Sequence, residues 1–288
     1  MFKLTNATYN RAGWGFRLLT ACLLAFALAT ASGRLAARAV EPQDLSSQTS
    51  TVDGGMDLSI RGQIGGLSSG LAVNGQYAYV GVGMRVLVFD VSRPSSPQLV
   101  GHSPILASGV QAIYVRSGLV YVAAGPAGLQ VIDVSTPRSP RLIGSLAVAG
   151  SIFDVTVDGN LAFVVQYQSE VQGLSGSSST WSLVLVDVEV PAHPQVLGSL
   201  PLAAGAKKVV ASGGMVFVAD NFWFGQREAF NGLTVVDASD PSAPRLAGSL
   251  KMDDISDLEV VEHAAYAVGG LKMTTIDLVS PTSPRILS

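Results

Sequence analysis

An all-β fold of repeated four-stranded units is what this sequence predicts, and three observations predict it. The first is a phrase that returns five times: an aliphatic, often β-branched run, an Asp, then a proline-punctuated turn. The copies are Val86–Pro97, Leu129–Pro140, Leu183–Pro194, Leu233–Pro244 and Met273–Pro284. Their aspartates, Asp90, Asp133, Asp187, Asp237 and Asp277, are spaced by 43, 54, 50 and 40 residues. A period of roughly 20–50 residues marks a repeat architecture. The second observation is that the rest of each repeat breaks into short segments rich in Val, Ile, Leu or Tyr, bounded by Gly, Ser or Pro, as strands are. The third is that no stretch of comparable strength beyond the N-terminal leader shows the helical period. Four short antiparallel strands per repeat predict a β-propeller of five four-stranded blades closed around a central channel, spanning residues 57–288.

The second repeat shows the elements in order. Val110–Val115 reads as a first strand, followed by a tight turn at Arg116–Gly118. Leu119–Ala123 is the second strand, with a Gly-Pro-Ala-Gly turn after it at Gly125–Gly128. Leu129–Val134 is the third, ending in a Ser-Thr-Pro-Arg-Ser-Pro corner, and Arg141–Val148 is the fourth. Both faces of a blade pack on neighbouring blades, which accounts for near-continuous apolar runs and a hydrophobic fraction of 48%. The Asp at the end of each third strand is expected to bond nearby backbone groups and fix the corner.

The phrase Leu129-Gln130-Val131-Ile132-Asp133-Val134-Ser135 resembles the LVIVD-repeat family of bacterial and archaeal surface proteins. Weaker copies stand at Val86–Ser92, Leu183–Glu189, Leu233–Ser239 and Met273–Val279. The third and fifth depart from the pattern, with Glu189 in place of the Ser and Thr274-Thr275 in place of aliphatic residues. The resemblance implies the propeller fold and carries no activity, because structural residues define the repeat. Ring closure has two readings. Asp57–Ile64 resembles the fourth-strand phrase at Arg141–Leu146 and would complete the last blade; alternatively, the short segment Arg285–Ser288 completes its own blade.

The leader carries Lys3, Arg11 and Arg17 and no acid, then an apolar run from Leu18 to Ala29. About twelve residues suit a signal-peptide core and fall short of the ~20 that span a bilayer. Cleavage after Ala31 is expected, with an uncleaved anchor as the alternative. The protein is then secreted, periplasmic or at the cell surface, without a stable membrane span in mature form. The chain's one cysteine, Cys22, lies inside the leader, so the mature protein lacks thiol chemistry and disulfides. Loss of the leader moves the net charge from −3 to −6, which argues against nucleic acid as a partner. Residues 32–56 are polar and aperiodic and read as a flexible spacer.

Catalytic signatures are absent or out of context. Gly66–Gly70 fits G-x-S-x-G, but a strand follows it where a nucleophile elbow needs a helix. His102, His193 and His263 occupy different columns of the repeat, so neither a metal site nor a cofactor is expected. Two departures from the repeat carry more. Gln166–Trp181 and Asp220–Gly232 expand the same link, between second and third strands, in adjacent repeats. Both should emerge side by side on one face, and insertions commonly mark the binding face of a repeat protein. Tyr167, Trp181, Phe222, Trp223, Phe224 and Arg227 are the candidate binding residues. The alternative to binding is that the aromatics fold back onto the propeller. Nine positions before each second-strand aromatic lies another column: Gly70, Ala112, Asp154, Lys208 and Asp257. Acid, base and acid on three consecutive blades form either an ion-pair cluster or a polar site at the channel mouth. The expected function is a non-enzymatic module recognising a surface protein or glycan. The alternative is a hydrolase or lyase working through Asp154, Lys208 and Asp257.

Overall fold

The computed structural model describes residues 50–52, 56–58, 68–171, 177–203, 205–220, 232–252, 255–269 and 272–288. The chain divides into two compact units: Met1–Gly65 with Arg93–Pro97, and Gly66–Ser92 with Gln98–Ser288. In the first, β1 (Ser50–Val52) and β2 (Met56–Leu58) pair as an antiparallel hairpin, in and just beyond the stretch read as a spacer. The leader and the rest of that spacer lie outside the described residues. Among the described residues no helix is long and apolar enough to cross a membrane.

The second unit holds five four-stranded antiparallel blades in a ring, each strand beside the next in sequence. Blade one is β3 (Gly70–Asn74), β4 (Tyr77–Val82), β5 (Arg85–Asp90) and β6 (Gln98–His102). Blade two is β7 (Ala112–Arg116), β8 (Leu119–Ala123), β9 (Leu129–Asp133) and β10 (Arg141–Leu146). Blade three is β11 (Ser151–Asp158), β12 (Leu161–Val171), β13 (Ser177–Asp187) and β14 (Gln195–Leu202). Blade four is β15 (Ala206–Ser212), β16 (Met215–Asp220), β17 (Gly232–Asp237) and β18 (Arg245–Lys251). Blade five is β19 (Asp257–Val261), β20 (Ala264–Gly269), β21 (Lys272–Asp277) and β22 (Arg285–Ile286).

The middle strands are mostly apolar because both of their faces are buried. In β8, Val120 and Val122 pack with Tyr79, Val86 and Val88 of blade one. Tyr121 and Ala123, pointing the other way, pack with Val155, Val157 and Val164 of blade three. Blades three and four share Phe163, Leu183, Leu185, Val216 and Val218, and blades four and five share Phe217, Leu233, Leu258 and Ile276. Each large aliphatic side chain so buried contributes roughly 1.5–3 kcal/mol. The face of blade five turned away from blade four is different, leaving Val261 and Met273 more than half exposed.

The repeated Asp does what its position predicts. The Oδ1 atoms of Asp90, Asp133, Asp187, Asp237 and Asp277 accept the backbone N–H two residues on, from Ser92, Ser135, Glu189, Ser239 and Val279, at 2.8–3.0 Å. The main-chain donor is common to all five, so Glu189 and Val279 supply it too, while at Asp133 and Asp237 the Ser side chain adds a second bond. Arg141, Arg245 and Arg285, each opening a fourth strand, donate to the other oxygen at 2.8, 3.1 and 2.7 Å. These bonds, from Ser135 first and then Arg141, hold the Asp133 carboxyl down at about 2. Its contribution to stability is present above the unfolded value near 3.9 and is lost as pH falls towards 2.

In blades one to four, a glycine of the fourth strand sets the spacing to the next blade. A Cβ at Gly101, Gly144 or Gly198 would lie 2.1, 2.1 or 2.4 Å from the carbonyl oxygen of Pro137, Pro191 or Pro241 in the following corner. At Gly248 the obstacle is the Thr282 carbonyl, at 2.6 Å. The last blade supplies its own fourth strand: Arg285 and Ile286 pair with Asp277 and Ile276, and Thr275 exchanges bonds with Leu287 and Ser288 at 2.8 Å. Of the alternative closing segment Asp57–Ile64, Asp57 and Leu58 pair within the β1–β2 hairpin and the rest lies outside the described residues. Gly144→Ala should cost about 1–3 kcal/mol in urea unfolding. Gly109→Ala, whose nearest obstacle is 3.8 Å away, should change little, and equal costs at the two positions would refute the spacing role.

Candidate functional site

The expanded link of blade three is a β-ribbon for most of its length. Strands β12 and β13 have 11 residues each, against 5 for β8 and β9. The outer strands β11 and β14 end opposite Tyr167 and Trp181, and beyond them the β12–β13 pairing continues alone from Gln168↔Thr180 to Val171↔Ser177. Tyr167 and Trp181 are direct cross-strand partners in the last row of the sheet, at the root of this ribbon, with ring centroids 4.9 Å apart. A third ring, which the sequence reading missed, is Phe153. It is the extra residue of a bulge between Ile152 and Asp154, and bulges re-aim side chains. Its ring lies 5.5 Å from Trp181 and, nearly perpendicular, 6.1 Å from Tyr167. Such pairs contribute about 0.5–1.5 kcal/mol each beyond their buried area. Trp181 also packs on the core between blades three and four, so the trio has a buried root, while Phe153 remains 39% exposed.

Phe222, Trp223, Phe224 and Arg227 lie outside the described residues. The ends of their connection, Asp220 and Gly232, are paired with each other. That connection therefore leaves blade four from the strand end that carries the ribbon on blade three.

The structure brings the second candidate set together. Asp154, Lys208 and Asp257 pair across their blades with Val165, Ala219 and Val268, the same row in each. Gly70 and Ala112 hold that row in blades one and two, opposite Gly81 and Ala123. Lys208 Nζ lies 3.9 Å from Asp154 Oδ2 and 3.7 Å from Asp257 Oδ1. Asp154 is 4% exposed, and its Oδ2 also accepts the Val209 N–H at 2.8 Å, tying blade three to the main chain of blade four. Burial raises the Asp154 carboxyl and Lys208 opposes it. Asp154, ahead of Asp257, raises the Lys208 ammonium in turn. Burial also lifts nearby Glu259. The Lys208 side chain keeps 34% of its surface open, so the cluster meets water. At the other end of the inner strands, Arg116 approaches Asp158 at 3.5 Å, and Gly213 N–H donates to Asp158 at 3.2 Å. Together these groups link blades two to five by polar contacts. The three histidines stand apart, in β6, in a corner and in the β19–β20 turn.

The family model for the LVIVD repeat matches residues 65–103, 109–148 and 204–251, which fall on blades one, two and four. The unmatched blades are the two whose copies depart from the pattern. Among solved structures, the chain is similar to the computationally designed protein Ika8, at 14% identity and a TM-score of 0.55, over 77% of this chain and 60% of that one. It is also similar to Sqt1 of Saccharomyces cerevisiae, at 9% identity and a TM-score of 0.52, over 77% of this chain and 61% of that one. The chain thus spans about 60% of the length of either, and at these identities the likeness shows the fold alone. No curated protein matches the sequence.

Lys208→Met leaves two carboxylates without their cation. The expected loss near pH 7 is about 2–3 kcal/mol, below the ~3–5 of a fully buried pair because Lys208 is partly in water. With the opposing charge gone the Asp154 carboxyl rises further, so the deficit should shrink as pH falls and the acid is protonated. A deficit that stays constant between neutral pH and pH 4 would contradict the assignment.

Proposed function

From the premise that this chain is an LVIVD-repeat protein folded as a five-bladed propeller, we propose that it is an exported, non-enzymatic binding module that recognises a surface protein or glycan through its blade-three ribbon and the neighbouring blade-four connection. The observation that carries this reading is the trio Phe153, Tyr167 and Trp181, three contacting rings at the sheet end from which the ribbon leaves the blade. Residues Gln168–Val171 of β12 run past the sheet and add nothing to their own blade. A rigid aromatic cluster at the root of a protruding element supplies large contact area at low entropic cost. The leader's charge and apolar run support export, which places the ribbon where external partners are met.

Catalysis at the channel mouth has less support. Asp154 and Asp257 are both engaged by Lys208, and Asp154 is buried, so these two carboxylates are not free to act as an acid–base pair. Propellers host both kinds of function, and the fold does not choose between them.

The test is a glycan array and a pull-down from surface extracts with the secreted protein, repeated with Trp181→Ala and with the ribbon shortened to a tight turn between Tyr167 and Trp181. At least tenfold weaker capture by both, with β-sheet circular dichroism retained, is the expected result. Capture unchanged by both variants rejects the surface. Turnover of glycosides or esters that is abolished by Asp257→Asn would reject the non-enzymatic reading.

A further inference from the structure

Asp220 is the last residue of β16 and is fully buried. The Thr234 hydroxyl donates to its Oδ2, while its Oδ1 has no hydrogen-bond partner among the described residues. Strand alternation gives its direction. Val216 and Val218 of β16 and Val236 of β17 belong to the core between blades three and four, so Asp220 and Thr234 face blade three. From the other side Phe163, Val165 and Leu183 face blade four, and Tyr167 and Trp181 continue the same files. The carboxyl thus sits at the top of the interface that the aromatic trio caps.

Among the described residues, what surrounds it is nearly uncharged. Strands β13 and β14 bring Trp181, Leu183, Leu200 and Leu202 to this core, and β12 brings Phe163 and Val165 with Tyr167 as its titratable group. Strand β15 sets Ala206 opposite Asp220; it also carries Lys207 at its bulge and Lys208, whose ammonium is held by Asp154 and Asp257. Strand β17 contributes the Thr234 hydroxyl. Opposite Asp220, Gly232 has a φ of 145° and a Cβ there would meet the Leu250 carbonyl at 2.1 Å, so this hairpin end is pinned between neighbours. A buried carboxylate with an unbonded oxygen and no counter-ion is costly, whereas the neutral acid is not.

We infer that Asp220 is a proton-operated latch: as the neutral acid it closes the end of the β16–β17 hairpin against blade three, and as the carboxylate it loosens that end beneath Tyr167 and Trp181. Burial pushes its carboxyl up to about 7, with the Thr234 bond opposing, which puts the change near neutrality. The folded value exceeds the unfolded one near 3.9, so the folded state holds the proton more tightly. The contribution of Asp220 to stability is therefore fully present below about pH 4, falls as pH rises towards 7, and levels off above. The latch regulates the surface proposed above and rests on that reading only for its consequence in binding.

The experiment reads the latch on the ligand-free full chain: the 13C carboxyl resonance of Asp220 and thermal unfolding from pH 4 to 8, for the parent, Asp220→Asn and Thr234→Val. The carboxyl midpoint should lie near 7 and move up in Thr234→Val, which removes the bond that lowers it. The melting temperature of Asp220→Asn should gain on the parent between pH 4 and 7 and then run parallel. A carboxyl midpoint near 4, or parallel profiles throughout, overturns the latch whether or not the ribbon binds a partner. Should Asp220→Asn not fold, the midpoints in the parent and in Thr234→Val decide the question. Loss of capture in Trp181→Ala with a midpoint near 4 would leave the surface standing and the latch refuted.

Discussion

A blade of this protein has two apolar faces and cannot bury either alone. Everything else in the propeller follows from the join between one blade and the next. Val120 and Val122 serve one join while Tyr121 and Ala123 serve the other, so both faces of a middle strand are committed to packing. Join distance is set by main chain meeting main chain, at Gly101, Gly144, Gly198 and Gly248 against the following corners. The corners can accept that contact because an Asp fixes each of them from within, and in three blades an Arg holds the Asp from the next strand. Repetition thus transmits one local geometry round the ring.

Polar groups within such joins are few, and each does something the apolar ones cannot. Asp154 bonds a backbone amide of the next blade and holds Lys208, which reaches on to Asp257. The chain thereby fixes the rotation of three blades about the channel, a directional constraint that aliphatic packing lacks. Blades one and two place Gly70 and Ala112 in the same row and leave it without charge. Asp220 belongs to the opposite case, a carboxyl held in a join with only Thr234 to bond it.

Much of this was legible in the sequence, for physical reasons that differ by element. The Asp-and-proline phrase marks a corner whose chemistry is local, so five copies mark five blades, and the nine-residue offset from the aromatic column places Asp154, Lys208 and Asp257 in one row. The ribbon was not legible. Residues 168–171 and 177–180, which pair beyond the sheet, are mostly Ser, Gln, Thr and Glu, without the alternation that signals a half-buried strand. Phe153 was hidden differently: a bulge turns one residue of an apolar run outward, and an unaligned strand gives no sign of where the extra residue sits. Asp220 reads as the polar start of a loop, since the join that buries it is made by a different repeat.

If the joins hold the fold, no blade has stability of its own. Native-state amide hydrogen exchange tests this most directly, by comparing the slowest amides of β8, β12, β16 and β20 and the bridging Val209 N–H over a series of low urea concentrations. The account predicts that all of them converge on one opening free energy equal to that of global unfolding. Separate plateaus, blade by blade, with Val209 exchanging independently of its neighbours, would contradict it.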